Sequence, residues 1–219
     1  RFPATTLSSY HSDPDEYAKT KLAAFDPFLS RPRQLPGDAE SAGDDAPPTR
    51  DTDIAGSYAD FGTAGHAVLE QLALDGWRGD VAALAEASGV ENHLSDRDIA
   101  DLKKRLKNAA DLMAKMLEGS ADARVEWPFA ILLEDNGTKL IVDGTMDLVF
   151  KSADGALHVI DYKFSDEPDS ALRKKYSLQL NLYRLALRRL DAGTAIRSTL
   201  IVIGRNGVKK LDVPEDSAS

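Results

Sequence analysis

The hydrophobic positions of this chain change period once. Between residues 60 and 120 they recur every three or four residues, which predicts helices; from residue 123 they alternate, which predicts strands. Gly62-Thr63 marks the opening of a first helix with Thr63 as its N-cap, and Val68, Leu69 and Leu72 form its apolar stripe. His66 lies just inside that start. Residues 81–87 predict a short second helix. Ser95-Asp96-Arg97-Asp98 resembles a capping box, and a long amphipathic helix follows to about Glu118. One side of it carries Ile99, Leu102, Leu106, Ala109, Leu112 or Met113, and Met116.

After Ala123 the reading is of strands and turns. Residues 124–133 predict a strand that holds Pro128, so an edge or a bulge. Asp135-Asn136-Gly137 is a hairpin signal. Residues 139–150 predict the second strand. Its even positions Leu140, Val142, Met146, Leu148 and Phe150 are expected in the core, with Asp143, Thr145 and Asp147 on the other face. A third strand is expected over 157–163, with Asp161 and Lys163 sharing the face opposite Ile160 and Tyr162. The segment 171–190 predicts a helix whose buried stripe is Leu172, Tyr176, Gln179, Tyr183, Ala186 or Leu187, and Leu190. Gln179 is an amide on an apolar stripe, so it must meet a polar partner or cavity. A hairpin over 197–213, turning at Arg205-Asn206-Gly207, completes the pattern.

Upstream the signals are weaker. Leu7 and Tyr10 behind Thr5 and Thr6, then Asp13-Pro14-Asp15-Glu16, predict a helical arm over residues 1–30, read as a packing pair in preference to a lid. Residues 31–55 are rich in Pro, Gly, Asp and Ala without periodicity and are expected to be a flexible acidic loop. The whole is expected to be one domain, with a helical region over 60–120 and a sheet-and-helix region over 123–213.

Composition narrows the chemistry. The 219 residues include no cysteine, which excludes disulfides, cysteine-bound zinc, cysteine-ligated iron–sulfur clusters and thiol catalysis. No apolar run is long enough to span a bilayer and the N-terminus does not read as a signal peptide, so a cytoplasmic setting without membrane partners is expected. Because the chain opens on Arg1, it is expected to be a piece of a longer one. The net charge of −9 argues against a nucleic-acid partner, but it is unevenly spread. Residues 37–53 carry six acids against Arg50 alone, whereas residues 170–190 carry six bases and no acid. Local sign matters more than the sum for a ligand that docks on one face.

Asp147, Asp161 and Lys163 on adjacent strands then suggest phosphodiester hydrolysis. That reaction needs an activated water and a sink for transition-state charge, which one or two Mg²⁺ ions supply. Carboxylates from neighbouring strands suit such an ion, with the Tyr162 backbone carbonyl as a further oxygen. A lysine beside carboxylates is held charged, which favours a positioning and electrostatic role over that of a base.

The segments GTMDLVF, VIDYKF and QLNLY resemble the motifs of the PD-(D/E)XK nuclease superfamily, above all its RecB-like branch, which includes the nuclease domains of RecB and AddA helicase–nucleases. GTAGHAVLEQL resembles the upstream histidine motif of that branch, VEWPF the segment before its first catalytic strand, and TTLSSYHSDPDEY echoes its start more weakly. The resemblance implies a restriction-endonuclease-like α/β fold, an αβββαβ core with a central mixed sheet, flanking helices and helical embellishment. It implies a Mg²⁺-dependent deoxyribonuclease, with Mn²⁺ as the alternative metal and exonuclease action favoured. His66, Asp147 and Asp161 match its metal ligands, Lys163 its catalytic lysine, and Gln179 and Tyr183 its accessory helix motif. Glu126 matches a family acid less well and reads better as a strand-surface residue. Without cysteines the chain belongs with the members that lack an iron–sulfur cluster. It holds no Walker A motif, so a helicase motor is expected elsewhere in the parent chain or in a partner subunit. The expected role is the C-terminal nuclease module of a helicase–nuclease in double-strand-break repair and recombination, acting on DNA, single-stranded above all. Two alternatives stay open: a nuclease-like fold that only binds DNA or protein, and a stand-alone nuclease of a phage or defence system.

Overall fold

The computed structural model describes residues 2–3, 52–135 and 138–213, with side chains for 60–134 and 141–213. The elements are β1 (Phe2–Pro3), α1 (Thr52–Leu74), α2 (Val81–Glu91), α3 (Asp96–Met116), β2 (Ala121–Asp135), β3 (Thr138–Lys151), β4 (Leu157–Lys163), α4 (Asp169–Leu190), β5 (Ile196–Gly204) and β6 (Gly207–Asp212). None of the described helices is long and apolar enough to cross a membrane. Apart from β1, the arm expected over residues 1–30 lies outside the described residues, as does most of the loop expected over 31–55.

Helix α1 opens at Thr52, so Thr63 is an interior, exposed residue and not its N-cap, and residues 52–55 are helical where a loop was expected. The reason is tertiary. Phe61 is buried in the core with Ala64, Val68, Leu69 and Leu72, and the Arg105 guanidinium lies over its ring at 4.9 Å. That burial outweighs the weak helix propensity of the glycines and aspartates around it. The local caps follow the sequence. The Asp80 carboxylate accepts the Ala82 and Ala83 N–H groups at 2.9 and 3.1 Å to start α2. At α3 the Ser95 hydroxyl accepts the Asp98 N–H at 3.2 Å and donates to the Asp98 carboxylate at 2.6 Å.

The strands form one mixed sheet. β3 pairs antiparallel with β2 along its length, parallel with β1 at Val142 and Asp143, and antiparallel with β4. β4 runs parallel to β5, and β5 antiparallel to β6. β2 pairs only with β3 among the described strands, so Pro128 sits on an edge, where its missing N–H costs no ladder bond. Helices α1–α3 cover one face of the sheet, over Leu148, Phe150, Ile160, Tyr162, Ile201 and Ile203. Helix α4 covers the other, over Val149, Val159, Leu200 and Val202. Elements and layers reproduce the αβββαβ arrangement expected above, with β6 added.

One expectation about β3 is overturned. Its even positions do not share a face: Val142 and Met146 pack beneath α4, whereas Leu148 and Phe150 pack beneath α1–α3. The neighbouring strand does the same, since Trp127, Phe129 and Ile131 join the α4 side and Val125 the other. Both switches fall at the rung of Glu126 and Asp147, which is missing from the register between Val125↔Leu148 and Trp127↔Met146. Glu126 has φ +47°, a left-handed backbone that breaks the pleat.

Candidate active site

The break in the pleat positions the first acid. β3 and β4 pair only as far as Leu148 and Ile160, and beyond that rung they part. Asp147 stands at the fork, where its Oδ2 accepts the backbone N–H of Tyr162 at 2.8 Å. The His66 imidazole, from α1, reaches the same oxygen at 3.7 Å.

Asp161 lies on the α4 side of β4 and is buried. Its Oδ1 accepts from Gln179 Nε2 at 3.1 Å, and its Oδ2 pairs with Lys163 Nζ at 2.5 Å, an ion pair more than a well-aligned hydrogen bond. Gln179 Nε2 also donates to the Tyr183 hydroxyl at 2.6 Å, which in turn donates to the Thr145 carbonyl at 2.9 Å. The amide foreseen on an apolar stripe is therefore satisfied by a carboxylate and a phenol. This chain of bonds ties α4 to β4 and β3 and fixes the rotamer of Asp161.

The electrostatics follow from one buried acid, Asp161, and one part-buried acid, Asp147, sharing one lysine. Burial and the Asp161 carboxylate push Asp147 up to about 8, against the opposing pull of Lys163 and the Tyr162 N–H. Burial works against the Lys163 ammonium, but Asp161 and Asp147 outweigh it and hold it charged. Its Nζ also lies 4.9 Å from the centre of the Tyr176 ring. Burial and then Lys163 lower the His66 imidazole, so it is neutral near pH 7 and able to act as a ligand. Burial, then Glu70 and Asp161, raises Glu126.

Thr63, His66, Ala67, Glu70, Glu126 and Asp147 line an open cleft of about 450 Å³ beside these groups. As placed, no three His, Asp or Glu side chains among the described residues stand close enough together to hold a metal ion. The donor chemistry nonetheless fits one. A carboxylate whose proton affinity is raised by burial and by a second carboxylate, beside a neutral imidazole, is relieved by a divalent cation, and oxygen-rich sites with one imidazole suit such ions.

The structure thus brings His66, Asp147, Asp161, Lys163, Gln179 and Tyr183 into one region, with the Tyr162 main chain between the two acids' strands. Sequence reasoning passed over Phe164 and Glu70. The Phe164 ring lies 5.8 Å from that of His66 and covers Gly65, where a Cβ would come within 2.1 Å of it. Glu70 follows His66 by four residues, and that spacing was the available signal. The basic character of α4 is used differently from its sequence reading. Arg173 and Arg184 donate to the carbonyls of Asp212 and Val213, Arg189 to that of Leu132, and Lys175 pairs with Glu167. Much of its charge fastens the helix to its neighbours.

Known proteins are similar to this chain. It is 31% identical over 154 residues to an ATP-dependent helicase/nuclease subunit of Desulfitobacterium hafniense, in both strain DSM 10664 / DCB-2 and strain Y51, covering 60% of this chain and 11% of the relative. It is 27% identical over 223 residues to the protein of the same name in Lactiplantibacillus plantarum, covering 90% of this chain and 17% of the relative. The chain therefore spans less than a fifth of the length of these curated relatives. Residues 41–218 match the PD-(D/E)XK nuclease superfamily, a stretch that takes in every residue of the site just described, and the chain belongs to that superfamily.

Proposed function

We propose that this chain hydrolyses DNA phosphodiester bonds with Mg²⁺, or Mn²⁺ in its place. The observation that carries the reading is the pair of buried Asp161 with part-buried Lys163 at 2.5 Å, set where β3 and β4 part and next to Asp147. Asp147, Asp161, His66 and the Tyr162 carbonyl would hold the ion. When bound, it lowers the pKa of a water and neutralises charge on the phosphate. Lys163 is charged throughout, so its part is to orient the attacking water and to meet charge developing on the phosphoryl oxygens. Gln179 keeps Asp161 aimed through one amide bond, and Tyr183 anchors Gln179.

The fuller assignment is a C-terminal exonuclease module in double-strand-break repair and recombination. It acts in the cytoplasm on single-stranded DNA delivered by a helicase motor, in the same parent chain or a partner subunit. The relatives' name as helicase/nuclease subunits supports it. The test is cleavage of labelled DNA with and without Mg²⁺. Activity is expected in the wild-type chain and lost in Asp161→Ala and in Lys163→Ala; equal trace activity in all three would sink the reading. One observation favours a binding-only role, the lack of three converged metal donors among the described residues. Calorimetric titration with Mg²⁺ or Mn²⁺ separates the two, because a binding-only domain takes up no ion at a specific site.

A further inference from the structure

Lys163 carries its ammonium on a flexible four-carbon stem, whose rotamer freedom is lost when the group is fixed in one place. Here it meets two groups: Asp161 Oδ2 at 2.5 Å, and the Tyr176 ring, over which it lies 4.9 Å from the centre. We infer that Tyr176 is a positioning residue for Lys163, its ring holding the ammonium where the Asp161 carboxylate alone would leave it free to swing. The catalytic consequence rests on the nuclease reading, which the inference deepens by saying what aims the lysine.

Three observations carry it. The first is the economy of donors. An ammonium has three N–H groups and no acceptor. A carboxylate takes up one of them, whereas a ring attracts the charge through its electron-rich face. The ring therefore steadies Lys163 and leaves N–H groups for the water and the phosphoryl oxygens it is proposed to meet. A further carboxylate in that place would compete with them.

The second is the setting. The Lys163 side chain is only 18% exposed, and a cation over a ring gains strength as water is removed. Lys175 lies over the same ring at 5.6 Å, but it is half exposed and pairs with Glu167 at 2.9 Å. Solvent and Glu167 meet the charge of Lys175, so the ring acts mainly on Lys163.

The third is the placement on α4. Tyr176, Gln179 and Tyr183 are spaced by three and four residues and share one side of the helix. Gln179 donates to Asp161, Tyr183 donates to the Thr145 carbonyl, and Tyr176 lies under Lys163. One helix face thus sets the acid and the lysine relative to each other. Tyr176 also packs at the margin of the core beneath α4, so the test has to separate its ring from its bulk.

The test has two arms. The first is NMR of the 219-residue chain in EDTA with isotope-labelled lysine ε-carbons, using Lys163→Ala to assign the signal. The ring is expected to shift the Lys163 ε-methylene protons upfield in the wild type and in Tyr176→Phe. The shift is expected to vanish in Tyr176→Leu and in Tyr176→Met, a second ringless variant that guards against one that fails to fold. Lys175→Ala is expected to keep it. The second arm is DNA cleavage with Mg²⁺. Tyr176→Leu is expected to lower kcat about tenfold with KM little changed, because the lysine is misaimed and not removed. Tyr176→Phe is expected to recover most of that loss, and Lys175→Ala to cleave as the wild type does.

A wild-type chain without the upfield shift overturns the inference, as does a shift that persists in the ringless variants. If the wild type cleaves and the ringless variants keep its kcat, the positioning role falls and the nuclease reading stands. If the shift depends on the ring but the wild type cleaves nothing, the hold on Lys163 stands and the nuclease reading falls.

Discussion

The Asp147 carboxylate takes the place of a strand partner for Tyr162, accepting its backbone N–H at 2.8 Å where β3 and β4 have separated. A side chain closes a ladder that the main chain leaves open. The acid is thereby fixed as tightly as a backbone carbonyl and is desolvated at the same time.

That desolvation sets a pH dependence. Asp147 is raised to about 8 by burial and by Asp161, so the folded chain holds its proton more firmly than the unfolded one. Its contribution to stability is complete below about pH 4 and is lost as pH rises through about 8. In EDTA the wild-type melting temperature is expected to fall over that window, and Asp147→Asn to flatten the fall. The variant should be about 1–3 kcal/mol more stable than wild type at the alkaline end. Mg²⁺ is expected to stabilise the wild type and not the variant. Identical melting profiles for the two chains in EDTA would contradict the account.

Gln179 holds Asp161 and Tyr183 with one nitrogen, and its replacement separates positioning from bulk. Gln179→Met keeps the volume, leaves the Asp161 Oδ1 without its amide donor, and is expected to cost about 1–3 kcal/mol. Cleavage should fall by a factor of about 10–100 in kcat with little change in KM, because the acid is misaimed rather than removed. Tyr183→Phe should cost less, about 1 kcal/mol, since only the bond to the Thr145 carbonyl and the anchor on Gln179 go. Equal loss in both variants would argue that the relay does not act through Asp161.

Gly65 is small because Phe164 lies on it. A methyl there meets the ring at 2.1 Å, so Gly65→Ala is expected to destabilise the chain by about 1–3 kcal/mol through overpacking, against the helix propensity that favours alanine. Phe164→Leu should relieve part of that cost in the double variant. Chemical denaturation of the four chains gives the coupling; additive effects would refute the contact.

At Glu126, with φ +47°, the usual strand order of residues should invert. Glu126→Gly is expected to be about 1 kcal/mol more stable than Glu126→Ala, because only glycine takes a left-handed backbone without penalty. A strand of ordinary pleat would favour alanine, and that order in denaturant melts would rule out the break.

Much of the fold was legible because its signals are local. The Ser95–Asp98 cap and the spacing of Ile99, Leu102, Leu106 and Ala109 lie within α3 itself, and the parity of Asp161 against Ile160 and Tyr162 within β4. What was hidden depends on contacts distant in sequence. That α1 runs through Phe61, ahead of Thr63, goes with the packing of Phe61 beneath Arg105 of another helix. The face switch in β3 is not readable from position parity, since Val142, Met146, Leu148 and Phe150 all hold even positions while changing layers. The bases of α4 showed their sign but not their targets, several of which are carbonyls of β2 and β6. For the candidate site, the residues were legible as motifs, whereas Phe164 was not, because a ring that packs over His66 and Gly65 has no spacing of its own.

The broken rung at Glu126 and Asp147 also limits how the chain can be improved. A redesign that regularised β2 and β3 would remove a strained residue, restore the missing ladder bonds and yield a more robust scaffold. It would also move the Asp147 carboxylate away from the Tyr162 N–H that holds it at the fork. In a library selected for heat resistance alone, the substitutions that straighten these strands should be enriched, and the clones that carry them should be the inactive ones.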